Sequence, residues 1–158
     1  MSKSLKIYSI VIIIAGVMMI GGGLWGVMFV FQNVTREKIT TPDDASIPGV
    51  LVHGPLTLKA QTDIIREHTL KMTSDKTFAE MPRQIPKLDA SGSAVLGADG
   101  KPAMVANTAR DIWITATTLT TALNLAIISY AFFGLVFLLG VILVLIGISF
   151  RALTRSRT

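Results

Sequence analysis

Cysteine is absent from the 158-residue chain. That excludes structural disulfides, thiolate metal sites, a cysteine nucleophile, a haem-attachment motif and a lipobox anchor. Histidine is scarce: His53 and His68 are the whole complement, too few for most metal chemistry. Charge is thin, at 16% of residues against about 25% in an ordinary soluble domain. What is present is apolar, with 51% hydrophobic residues and a mean hydropathy of +0.58. This composition predicts a small integral membrane protein of about one domain's length, with a function other than catalysis.

The net charge of +5 is confined to the two ends. Lys3 and Lys6 precede the first apolar run, and Arg151, Arg155 and Arg157 follow the last. Between Gln32 and Asp111 ten basic residues balance all ten acidic ones. Two short cationic tails beside apolar runs fit the positive-inside rule. They predict a cytoplasmic tail at 1–6, a cytoplasmic basic tail at 151–158 and an extracytoplasmic middle in a multi-pass cell-membrane protein. Such a split does not favour nucleic acid, and membrane lipids are the expected surroundings of the two apolar runs.

Ile7–Phe31 is 25 residues without a charge, enough for a helix to cross a bilayer core that takes about 20. A cleaved signal is shorter and ends on small-x-small, whereas this run leads into Trp25, Phe29 and Phe31. Ile112–Phe150 is 39 uncharged residues, about 58 Å as one helix and nearly twice the bilayer core. Its first part carries Thr115, Thr117, Thr118, Thr120, Thr121 and Asn124. The predicted division is a Thr-rich helical stalk at 112–124 and a second span at 125–150. In the rival arrangement the threonines stay in the membrane, bonded to carbonyls one turn back.

Glycine punctuates both spans. Gly22 and Gly26 stand in GxxxG spacing, and Gly140 and Gly147 share a face seven residues apart. In lipid, small residues let backbones approach, so these four are the expected helix-packing positions. Neither span holds Asp, Glu, Lys, Arg or His, the residues that mark ion and proton paths. A transporter or pump is therefore disfavoured.

The 32–111 segment is predicted to be small, mostly helical and irregular. Thr40-Thr41-Pro42-Asp43-Asp44 should break the first helix, and Gly54-Pro55 opens another as N-cap and first helical position. Leu56–Met72 is amphipathic, with Gln61, Ile64, Ile65, His68 and Met72 along one face. Thr77-x-x-Glu80 fits a capping box. A short β-hairpin is expected where Ala94-Val95-Leu96 and Ala103-Met104-Val105 flank the turn Gly97–Pro102. The fold class is thus an all-α membrane protein: a two-helix transmembrane hairpin carrying this small segment.

Candidate chemistry is sparse. His53, His68 and a carboxylate could form a facial iron triad, but a spacing of fifteen does not favour it, and His68 fits better as a hydrogen-bonded packing residue. Asp43-Asp44 lacks the ligand series of a calcium site and fits a solvated turn. No catalytic, cofactor-binding or metal-binding residue is expected. Ile64, Ile65, His68 and Trp113 are the expected residues for docking the loop on a partner.

Several motifs recur together: Glu37-Lys38-Ile39, Asp43-Asp44-Ala45, Val52-His53-Gly54-Pro55-Leu56-Thr57, Ala60-Gln61-x-Asp63-x-Ile65, His68 and Thr77-Phe78-Ala79-Glu80. A further run is Trp113-x-x-Ala116-Thr117-x-Leu119-x-Thr121-Ala122-Leu123-Asn124. In order and spacing they resemble a family of two-span actinobacterial membrane proteins that often carry an "aromatic ring-opening dioxygenase" label, over about three quarters of the chain. Phe78 stands where the family usually has Tyr, and the 85–105 region departs from it. Extradiol ring opening needs two histidines and a carboxylate on the metal plus a general base; with His53 and His68 both as ligands, no histidine remains as base. Proteins similar to this one occur as accessory subunits of the cytochrome bcc–aa3 respiratory supercomplex. The resemblance therefore implies a structural subunit that packs through its helices and docks its loop on neighbours. The alternatives are an extracytoplasmic sensor or assembly chaperone, and an enzyme matching the label.

Overall fold

The computed structural model describes residues 2–155; the end of the basic tail, with Arg157, lies outside the described residues. The chain is mostly helical, in the order α1 (Ser2–Arg36), α2 (Pro55–Met72), a 3-10 turn (Phe78–Glu80), β1 (Gln84–Pro86), β2 (Met104–Ala106) and α3 (Thr108–Arg155). At 1.5 Å per residue, α1 is about 52 Å long and α3 about 72 Å. Both are long and apolar enough to cross a membrane.

The two long helices run antiparallel with their backbones in contact. A Cβ built on Gly16 would lie 2.7 Å from the Gly140 carbonyl oxygen, and one on Gly140 would lie 2.7 Å from that of Gly16. Gly23 faces the backbone of Phe133 and Phe137, Gly26 lies under the Phe133 ring, and Gly147 faces Ser9 and Ile13. Gly22 departs from expectation. It has open space around its Cα, as do Gly21 and Gly134. The facing glycines of α1 are Gly16 and Gly23, seven apart, with Gly26 beside them; at 100° per residue this row points to α3 and Gly22 points away.

α3 is uninterrupted, so the Thr-rich residues continue the helix below them. Thr115, Thr118 and Thr120 donate their hydroxyls to carbonyls of Asp111, Ile114 and Thr117, which keeps these groups satisfied within the helix. Near its end α1 packs Val34 against the cluster of Val52, Leu58 and Leu123. Beyond that level α2 takes its place beside α3. Gly54 in extended conformation caps α2, Pro55 occupies its first position, and Thr57 Oγ1 accepts from the amides of His53 and Gly54 at 3.0 and 3.1 Å. The core sits at this three-helix junction: Val52 and Leu58 are fully buried and Leu123 nearly so, with Ile39, Ile65 and Tyr130 around them.

From Pro82 to Ala106 the chain folds by backbone bonds more than by burial. β1 pairs antiparallel with β2, Gln84 opposite Ala106 and Pro86 opposite Met104. Bridges join Leu88 to Ala94 and Leu96 to Pro102. The expected hairpin is met in part, its two arms joined by the Leu96–Pro102 bridge. Its turn exists, with Gly97 N donating to Lys101 O at 2.8 Å, but the strand paired with Met104–Ala106 is Gln84–Pro86. The reason is a second turn with the same geometry, Asp89 N donating to Ser93 O at 2.9 Å, which brings a third segment into the sheet. Lys87, Val95 and Ala103 then close a ring: Lys87 N donates to Ala103 O, Ala103 N to Val95 O and Val95 N to Lys87 O, at 2.7–2.9 Å. Successive members of the ring, Lys87, Val95 and Ala103, are spaced eight residues apart. Gly92 and Gly100 occupy matching places in the two turns with φ of +80° and +74°, a backbone region that costs other residues about 1–2 kcal/mol.

Candidate functional site

The junction of α2, α3 and the loops is where the chain's distinctive side chains collect. α2 turns a row of hydroxyls inward: Thr62, Thr69 and Thr73 are buried. Each bonds to the carbonyl four residues back, Thr62 to Leu58, Thr69 to Ile65 and Thr73 to Thr69. A threonine satisfied by its own helix packs as a small, stiff side chain. Trp113 closes the row. It is 8% exposed, and its indole N–H donates to Lys76 O at 2.8 Å and to Thr73 Oγ1 at 3.2 Å. The Arg66 guanidinium stands 6.0 Å from the ring centre. A groove of about 510 Å³ runs beside it, lined by Phe78, Trp113, Ile114, Thr117, Thr118 and Thr121. Its polar side-chain groups among the described residues are the threonine hydroxyls and the Trp113 indole.

The predicted docking residues separate into two kinds. Ile64 is 4% exposed, Ile65 packs on the Val52–Leu58–Leu123 cluster, and Trp113 is held as above. Ile64 and Trp113 are thus largely covered within the chain where α2 packs on α3, while Ile65 is half-buried and borders an open groove with His68. His68 lies off the buried face. Its Nε2 is 2.7 Å from Asp44 Oδ2, with both side chains about half exposed. This contact ties the Pro42–Gly49 loop to α2 and holds the Asp44 carboxyl below its ordinary value.

His53 belongs to a different place. Its carbonyl accepts the Tyr130 hydroxyl at 2.7 Å, and its ring lies 6.1 Å from that of Phe31. Among the described residues no group of three or more His, Asp and Glu side chains could hold a metal ion. Two further carboxylates are drawn below their ordinary values, Glu80 by the Thr77 amide and hydroxyl of its capping box and Asp89 first by the Ser91 hydroxyl. Both serve local turns. Gln61 is the exception to this local satisfaction: its buried Oε1 has no hydrogen-bond partner among the described residues.

The helix-packing glycines lie outside this junction. Gly26, Gly140 and Gly147 sit between α1 and α3, and Gly22 does not.

Sequence reasoning missed the ring-closed unit at 84–106. The available signal is an eight-residue repeat, Pro86-Lys87-Leu88, Ala94-Val95-Leu96 and Pro102-Ala103-Met104, with Gly92 and Gly100 in register. Arg110 ties the segment that leads into this unit to the start of α3 by donating to the Phe78 and Met81 carbonyls, and Asn107 does so through the Pro82 carbonyl. Comparison with family models, curated proteins and solved structures finds no match to the chain.

Proposed function

We propose that this chain is a non-catalytic accessory subunit of an actinobacterial respiratory supercomplex of the cytochrome bcc–aa3 type. It crosses the membrane twice, with both termini in the cytoplasm and the α2 junction and ring-closed unit outside. The observation that carries the reading is how little the long helices cover each other. In the most apolar stretches of α1 and α3 only 17% and 11% of residues are buried. A soluble protein's core helix would be mostly covered, so a face bearing Trp25, Phe29, Ile128 and Leu135, each more than half exposed, needs lipid or other helices against it.

The antiparallel register supports the orientation. Gly147 lies beside Ser9, which puts Lys6 and Arg151 at the same end of the pair, as a shared cytoplasmic side requires. The choice of supercomplex comes from the family resemblance, centred on Val52–Thr57 and Trp113–Asn124. The test is purification of the chain from its native membrane in mild detergent. Haem absorbance of b-, c- and a-type centres should accompany it. Recovery only as a free monomer or homo-oligomer without haem refutes the assignment.

A further inference from the structure

Charged side chains on α2 are matched within the chain, with one exception. Lys59 pairs with Asp63, Lys71 with Glu67 and His68 with Asp44. Arg66 has no carboxylate within ion-pair reach among the described residues. It meets the Trp113 ring instead, its guanidinium carbon 6.0 Å from the ring centre. Arg66 lines a recess of about 160 Å³ between α2 and α3, whose α3 wall carries Trp113, Thr117, Thr120 and Asn124. That is room for a group of several heavy atoms. Thr120 gives its hydroxyl proton to the Thr117 carbonyl. The Thr117 hydroxyl and the Asn124 amide make no hydrogen bond among the described residues. A guanidinium, a hydroxyl and an amide with donors to spare therefore line one small space, and no carboxylate among the described residues lines it with them.

We propose that this recess takes the phosphate group of a membrane phospholipid, with Arg66 as its cation and Thr117 and Asn124 as further donors. The inference rests on the two-span part of the reading above and is independent of the supercomplex. Height carries the choice of ligand. The apolar span begins at Leu125, and at 1.5 Å per residue Asn124 to Thr117 covers about the next 10 Å. The polar layer of a bilayer is about 5–8 Å deep on each side, so the recess opens at the level of the lipid phosphates. The same face of α3 supplies a path for acyl chains. At 100° per residue Asn124, Ile128 and Leu135 all fall within about 20° of Thr117, and Ile128 and Leu135 are 63% and 55% exposed. Leu135 lies about 15 Å below Leu125, the depth of one leaflet. A polar recess above an open apolar strip matches the two parts of a lipid. A guanidinium fork suits phosphate oxygens, and basic pockets between membrane helices are where headgroups bind. Every phospholipid brings a phosphate to this depth, whereas a second copy of the chain would have to bring a carboxylate to the same height.

The test uses the full chain, purified in dodecyl maltoside and stripped of lipid. Dioleoyl phosphatidylglycerol, dioleoylglycerol (the same acyl chains without phosphate) and inorganic phosphate are added back in separate arms, and native mass spectrometry measures what is retained. The expected result is one tightly held phosphatidylglycerol per chain, with neither of the other two held comparably. Arg66→Gln, at an exposed position, should weaken that binding about tenfold or more, as loss of a charge-assisted bond does. Asn124→Leu should weaken it too, and Lys71→Gln, whose cation is already paired, should leave it unchanged. Undiminished binding in Arg66→Gln, an equal loss in Lys71→Gln, equal retention of dioleoylglycerol, inorganic phosphate held as well as the lipid, or a loss seen only as an oligomer of the chain dissociates overturns the proposal. If Arg66→Gln fails to fold, Asn124→Leu decides by the same readout. Carbonate extraction of native membranes tests the spans separately. Release of the chain into the soluble fraction overturns the two-span reading, whereas a chain that stays in the membrane and holds no lipid through Arg66 overturns the recess alone.

Discussion

The backbone contact of α1 and α3 at Gly16 and Gly140 gives a quantitative test of how the helices are held. Gly16→Ala places a methyl 2.7 Å from the Gly140 oxygen and 2.9 Å from the Val144 nitrogen, and Gly140→Ala places one 2.8 Å from the Ile20 nitrogen. These are backbone atoms, so relief requires the helices to separate. Overpacking of this kind costs about 1–3 kcal/mol, and for a chain of this size each kcal/mol lowers Tm by about 2–4 °C. Gly22→Ala meets open space and exchanges a poor helix former for a good one, a gain of up to about 1 kcal/mol. Thermal unfolding in detergent, followed by circular dichroism, should therefore show Gly16→Ala and Gly140→Ala melting several degrees lower and Gly22→Ala melting no lower than the parent. Because both added methyls enter the same gap, the double variant should fall short of the sum of the single effects. Equal losses at Gly16 and Gly22, or no loss at Gly16 and Gly140, would refute the glycine seam.

Trp113→Phe keeps most of the ring but removes the N–H that reaches Lys76 and Thr73; a stability loss of about 1–2 kcal/mol is expected, and unchanged melting would show that the indole acts by bulk alone. Asp44 is held below its ordinary value by the His68 hydrogen bond, so that bond contributes stability above the ordinary value and is lost as pH falls through the lowered one. Proteolysis of the Pro42–Gly49 loop should accelerate below about pH 4 and lose that acid step in Asp44→Asn; an identical acid profile counts against the tie. Gly92→Ala or Gly100→Ala forces an L-residue to positive φ, and hydrogen exchange should show the Lys87, Val95 and Ala103 amides losing protection together; if they exchange independently, the ring is not cooperative. In this cysteine-free chain, Ser93→Cys should react with an impermeant maleimide added outside intact cells and Ser4→Cys should not; the opposite pattern inverts the topology.

Signals carried by neighbouring residues are legible without coordinates. Gly54-Pro55 opens α2, Thr77 and Glu80 form their capping box, and two charge-free runs become the two long helices. Each depends on a propensity or bond that spans no more than one turn, apart from the runs themselves, which are long enough to be unambiguous. The buried face of α2 was harder to read. Thr62, Thr69 and Thr73 look polar by type, yet each cancels its hydroxyl against its own helix and enters the core. His68 looks like part of the apolar stripe, yet a carboxylate twenty-four residues earlier holds it at the surface.

Composition and charge order by themselves determined that this chain has two long apolar helices, cationic ends and a neutral middle, because hydropathy and charge add up residue by residue. Tertiary structure alone decided that Gly23 and not Gly22 meets α3, that Ile64 and Trp113 are used inside the chain, and that Leu88, Leu96 and Met104 are left uncovered. Those outcomes depend on the rotation of one helix against another and on backbone bonds between segments eight residues apart. Such relations exist only once separate elements have met.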